Sequence, residues 1–101
     1  MREVHFHRLA VDELRGAMQW YAQRSVAARD RFRAAIFEAV ERIAANPELP
    51  SPLVAHYRYV RPRRFPYLIV YEIRSDGTPF VVAVAHASRR PGYWRKRGGA
   101  T

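Results

Sequence analysis

The chain has no cysteine among its 101 residues. That excludes a disulfide framework and a thiolate zinc site, and it is compatible with a reducing compartment. Long apolar runs are missing too: nothing approaches the roughly 20 residues of a membrane span. The opening Met-Arg-Glu-Val-His-Phe-His-Arg carries charge where a signal peptide needs an apolar core. A cytoplasmic protein with no membrane partner is the expectation. Repeats and low-complexity tracts are also absent. Acidic residues are scarce, but only in one half. Residues 56–101 hold nine Arg and Lys96 against Glu72 and Asp76, a balance of +8, whereas residues 1–55 hold eight Arg against seven acidic residues, +1. An even spread would speak only for solubility. This concentration predicts a positive surface facing nucleic acid, an acidic protein, or both. Lysine is nearly missing as well: seventeen of the eighteen cations are Arg, whose planar fork suits phosphate and carboxylate.

What is present is enough for one core. At 49% hydrophobic residues, 1–101 reads as a single domain needing neither disulfides nor metals, with about 95–101 a fraying tail. Arg2 to Arg8 alternates, Val4 and Phe6 facing one way and Glu3, His5 and His7 the other, as a half-buried edge strand does. His5 and His7 have no Cys and no suitably spaced acidic partner, so no metal site is expected, and no cofactor. From Val11 the period changes. Val11, Leu14, Met18 and Tyr21 form one helical stripe, with Asp12 and Glu13 in the first turn and Arg24 near the end. Ser25 then caps a second helix carrying Phe32, Ile36, Val40 and Ile43, which Asn46 and Pro47 end. The two make an antiparallel hairpin.

Asn-Pro-Glu-Leu-Pro-Ser-Pro, 46–52, is an irregular connection. Strands follow at Ala55 to Arg61, Tyr67 to Arg74 and Phe80 to Ala87, the last two joined through Ser75, Asp76 and Gly77, where Asp-Gly supplies positive φ angles. The class is α+β: an N-terminal strand, an antiparallel helical hairpin, then a three-stranded antiparallel meander, with the helices on one face of the sheet.

The meander predicts that four segments share one surface: Arg61, Arg63 and Arg64; His86 at a strand end; Arg89 and Arg90; and Tyr93 and Trp94 before Arg95, Lys96 and Arg97. Cations interleaved with aromatic rings suit nucleic acid, Arg holding phosphates while rings stack on unpaired bases. The plainer alternative folds Tyr93 and Trp94 back onto the sheet and leaves His86 to cap its strand. Trp20 and Phe37 fall beside the helical stripes, at the core margin or in a partner-binding groove.

The order of elements, the run Phe-Pro-Tyr-Leu-Ile-Val-Tyr-Glu-Ile and the ending Val-Ala-Val-Ala-His-Ala-Ser-Arg-Arg-Pro-Gly-Tyr-Trp resemble the RelE/ParE superfamily, the toxins of bacterial type II toxin-antitoxin pairs. The resemblance implies a growth-inhibiting, plasmid-stabilising toxin in a hetero-oligomer with a small antitoxin whose C-terminal segment is acidic. Trp20, Phe37 and Arg58 are its antitoxin-binding candidates. Two mechanisms divide the superfamily. The ParE-like branch is associated with poisoning DNA gyrase and performs no reaction. Under that reading Arg61, Arg63, Arg64, His86, Arg89, Arg90, Tyr93 and Trp94 contact the target. The alternative is ribosome-dependent, metal-independent cleavage of mRNA, for which Arg61, His86, Arg89 and Tyr93 are the catalytic candidates. An inactive antitoxin-binding remnant is the third. Tyr93 matches a tail tyrosine of the nucleases, and needs nearby Arg to lower its pKa if it is to act as a base. Against cleavage, two arginines common in the nucleases are here Leu68 and Ala87. Losing one such transition-state contact costs about 3 to 4 kcal/mol. The ParE-like branch is therefore the expectation.

Overall fold

In a computed structural model the protein is described over residues 3–98. Its elements run β1 (His5–Phe6), α1 (Arg8–Ala22), α2 (Val26–Ala45), β2 (Arg58–Val60), β3 (Tyr67–Ile73), β4 (Pro79–His86) and a 3-10 turn at Arg95–Arg97. The sheet order is β1-β4-β3-β2, with β1 parallel to β4 and the other pairs antiparallel. This is the expected α+β arrangement.

The N-terminal strand is shorter than its alternation suggests. Arg2 lies outside the described residues, and after Phe6 the chain turns at once into α1 because His7 serves as its N-cap, the ring Nδ1 accepting from the Leu9 N–H at 3.0 Å. Asp12 and Glu13 consequently sit beyond the first turn. The buried stripe shifts with the earlier start: Ala10 and Ala17 are buried, Leu14, Met18 and Tyr21 partly so, and Val11 stands outside the core. Ser25 caps α2 as expected, its hydroxyl accepting from Ala28 N–H at 2.9 Å, and Phe32, Ile36 and Ile43 are buried. At the β3–β4 hairpin only Gly77 takes a positive φ, +87°. The Arg74 carbonyl accepts from Gly77 N–H, and Asp76 instead accepts from Thr78 N–H at 2.9 Å.

Both faces of β3 and β4 are covered. Ile69, Tyr71, Val81 and Val84 pack under the helices, around Phe32 and Ile43. Val70, Val82, Ala83 and Ala85 face the other way, against Tyr57 and Trp94. The register explains why Val82 and Ala83 share a face: Val70 pairs with Ala83 and Tyr71 with Val81, so Val82 is the extra residue of a β-bulge.

Candidate functional site

Three arginines are held at the turn from β2 to β3 by an aromatic anchor. Phe65 inserts edge-on against Tyr21 and Phe32, both at 5.2 Å, so the turn is pinned to the helical hairpin. Arg42 of α2 donates to the Arg61 carbonyl at 2.6 Å. Arg61, Arg63 and Arg64 therefore project from a fixed base into solvent. Arg64 has a φ of +69°, a left-handed conformation that favours glycine. Tyr67 pairs with His86, and Ala87 N–H donates to the Pro66 carbonyl at 2.8 Å. The end of β4 and the exposed Arg89 and Arg90 thus lie at the same end of the sheet as the arginine turn.

The tail follows a different course from the one expected for a fraying, target-facing end. Trp94 is 3% exposed, its ring edge-on to Tyr57 at 4.9 Å, while Tyr57 donates its hydroxyl to the Arg95 carbonyl at 3.0 Å. The indole anchors the segment and offers no face to a target. Residues 95–97 form an ordered turn, and 99–101 lie outside the described residues.

Arg97 and Tyr93 converge on Glu13, a residue the sequence assigned only to the helix dipole. The cause is the shortness of β1. Among the described residues it pairs with Phe80 and Val81 alone, and beyond the bond from His7 N–H to the Val81 carbonyl the edge of β4 has no described strand beside it. Side chains fill the gap. Glu13 accepts from Val84 N–H at 3.0 Å, Arg97 donates to the Val82 carbonyl at 3.0 Å, and the two pair with each other at 3.1 Å. Tyr93 donates its hydroxyl to the second Glu13 oxygen at 2.8 Å. Burial, that hydrogen bond and the Glu13 charge push the Tyr93 phenol up to about 12, although Arg89 and Arg97 pull the other way. The phenol that cleavage requires as a base is instead a committed donor.

His86 is similarly occupied. Ser88 N–H can only donate, and it lies 3.1 Å from Nδ1, with the Ser88 hydroxyl at 2.8 Å. This network assigns the ring proton to Nε2. His86 thereby presents a donor, its ring edge-on to Tyr67 at 5.1 Å. Arg61 and Arg89 remain as exposed guanidinium donors with no acceptor.

A groove of about 500 Å³ runs between α1 and this end of the sheet, lined by Ala17, Trp20, Tyr21, Tyr67, His86 and Arg89 among others. Trp20 is 48% exposed there, with the Arg24 guanidinium 3.3 Å over its ring. The other two antitoxin-binding candidates do not join it. Phe37, 65% exposed, stands beside Asp30, Arg33 and Ala34 of α2, and Arg58 is turned toward the proline loop, donating to the Pro50 carbonyl at 2.9 Å. Glu72, within 2.7 Å of His56, was also missed, although a lone acid in Tyr-Leu-Ile-Val-Tyr-Glu-Ile is a visible sign of a buried carboxylate.

A helical hairpin on a short meander, with a basic turn and strand end gathered at one rim, defines a toxin domain of the RelE/ParE superfamily. Within it, the family model described as the ParE toxin of the type II toxin-antitoxin system, parDE, matches residues 4–91, and the chain belongs to that family. It is 30% identical over 91 residues to Toxin ParE2 of Mycobacterium tuberculosis, in the CDC 1551 / Oshkosh and H37Rv strains alike, a match spanning 89% of this chain and 86% of the relative. The pairing of toxin with antitoxin comes with the family. No helix among the described residues is long and apolar enough to cross a membrane.

Proposed function

We propose that this toxin arrests growth by binding DNA gyrase through its basic rim, without catalysing a reaction, and that its antitoxin covers the same end of the molecule. The observation that carries the reading is the 2.8 Å hydrogen bond from Tyr93 to Glu13. Cleavage by attack of a 2′-hydroxyl on the neighbouring phosphate needs a group that accepts a proton, and acid–base assistance is worth about 10² to 10⁴ in rate. Tyr93 holds its proton to about 12 and His86 spends its Nδ1 lone pair on Ser88. Leu68 packs at the margin of the Trp94 cluster, and Ala87 has no group for phosphate. Binding requires none of these. An antitoxin segment with apolar residues for the Trp20 groove and acidic ones for Arg89 and its neighbours fits the charge of this half of the chain.

Purified toxin is incubated with gyrase and relaxed plasmid, and separately with ribosomes translating a defined mRNA. Loss of supercoiling with intact message is expected. Cuts in codon register that vanish in a Tyr93→Phe, His86→Ala double variant would overturn the reading.

A further inference from the structure

We infer that the rim binds the phosphate backbone of duplex DNA directly, through Arg61, Arg63, Arg64, Arg89 and Arg90, without reading bases. The choice of DNA over duplex RNA rests on the gyrase reading. The backbone contact rests on the rim itself. All five side chains are exposed, and none of them is in an ion pair among the described residues; Arg15, Arg31 and Arg33 on the helices share that state, and what sets the five apart is that they gather at one end of the sheet. The two acidic residues of 56–101 lie toward the other end of β3 and β4: Glu72 pairs with Phe80, and Asp76 is in the hairpin turn beyond. Arg89 is held by the Tyr93 ring, its guanidinium 4.1 Å from the centroid. Arg64 places a cation at a position whose φ of +69° favours glycine.

The aromatic residues decide against unpaired bases. Stacking platforms need an open ring face. The Trp94 ring is buried on Tyr57, the Tyr93 ring has the Arg89 and Arg97 guanidiniums 4.1 and 5.1 Å from its centroid, and Trp20, on α1, has Arg24 over one face. What the rim offers is a row of forked cations, which matches phosphates and carries no sequence information.

The test is fluorescence anisotropy of the full chain, without gyrase, on 20-base-pair DNA duplexes of unrelated sequence, on single-stranded DNA and on an RNA hairpin. Equal affinity for the duplexes is expected, above that for single strands and RNA. With about five phosphates neutralised, log K should fall against log salt with a slope of about −4 to −5. An Arg63→Ala, Arg64→Gly, Arg90→Ala variant should bind at least about tenfold more weakly, with the slope shallower by about 3. Its melting temperature reports folding, and Arg64→Gly alone should not lower it. A control with the same charge change on the helices, Arg15→Ala, Arg31→Ala, Arg33→Ala, should bind like the parent. No duplex binding at low salt, tighter binding to single strands or RNA, or equal loss in the control would overturn the inference. Duplex binding with uninhibited supercoiling would instead remove the gyrase reading.

Discussion

The two faces of the sheet are covered by different means. Under the helices, Phe32, Ile36, Ile43, Ile69 and Val81 meet as a continuous apolar core, and three of the cations above pair locally, Arg8 with Asp12, Arg29 with Asp30 and Arg42 with Glu38, while Arg15, Arg31 and Arg33 stand exposed. On the opposite face the cover is a tail with little apolar surface besides Trp94, held by side chains that reach across the chain. Tyr57 reaches Arg95, Tyr93 reaches Glu13, and Arg97 reaches the Val82 carbonyl at the open edge of β4. The difference teaches where function has room. Charges that complete the fold are spent within it, and those left at the rim are available to a partner.

The comparison breaks most readily at its two anchors. Phe32→Ala and Trp94→Ala should each cost about 3 to 5 kcal/mol in chemical denaturation, because both empty a buried aromatic site. A Trp94→Ala cost below about 1 kcal/mol would mean that the tail does not cover a core. Next comes Glu13→Gln, with a loss of about 1 to 3 kcal/mol from the weakened pair with Arg97 and the poorer acceptor for Tyr93. Its effect should vanish when Arg97 and Tyr93 are already replaced, a coupling that a double-mutant cycle measures.

High pH sharpens the contrast, since each face holds one tyrosine pushed up to about 12: Tyr71 under the helices, by burial, and Tyr93 on the other side, by burial and Glu13. The unfolded chain loses these protons near pH 10 while the folded one keeps them, so the unfolded state binds fewer protons and stability falls from about pH 10 to 12. Tyr93→Phe should remove its own contribution, leaving those of Tyr71 and the other raised tyrosines, Tyr21, Tyr57 and Tyr67, and make that fall shallower in a denaturation series. The smallest effect belongs to the helical surface. Arg29→Ala, breaking an exposed pair at 3.1 Å, should change stability by less than about 0.5 kcal/mol.

The helical side was legible because its signals are local. The Ser25 cap, the spacing of Phe32, Ile36 and Ile43, and the apolar run of β4 each declare themselves within a few residues. The rim was legible in part, since a meander must bring Arg61–Arg64 beside His86–Arg90 once its strands are recognised. The packing of Trp94 back onto the sheet was legible too, but the role of Tyr93 was not. Tyr93 and Glu13 are 80 positions apart, and nothing near either one announces the other. Glu13 reads as a helix-dipole acid, and only the early end of β1, itself set by the His7 cap, creates the open edge that it fills.

The most direct test of the account is growth arrest by Tyr93→Phe, expressed at a folded level matched to the parent by melting and gel filtration. If the phenol holds the tail on Glu13 and transfers no proton, arrest should persist with its strength nearly unchanged. Loss of arrest in a folded Tyr93→Phe protein, with the parent cutting message, would contradict it.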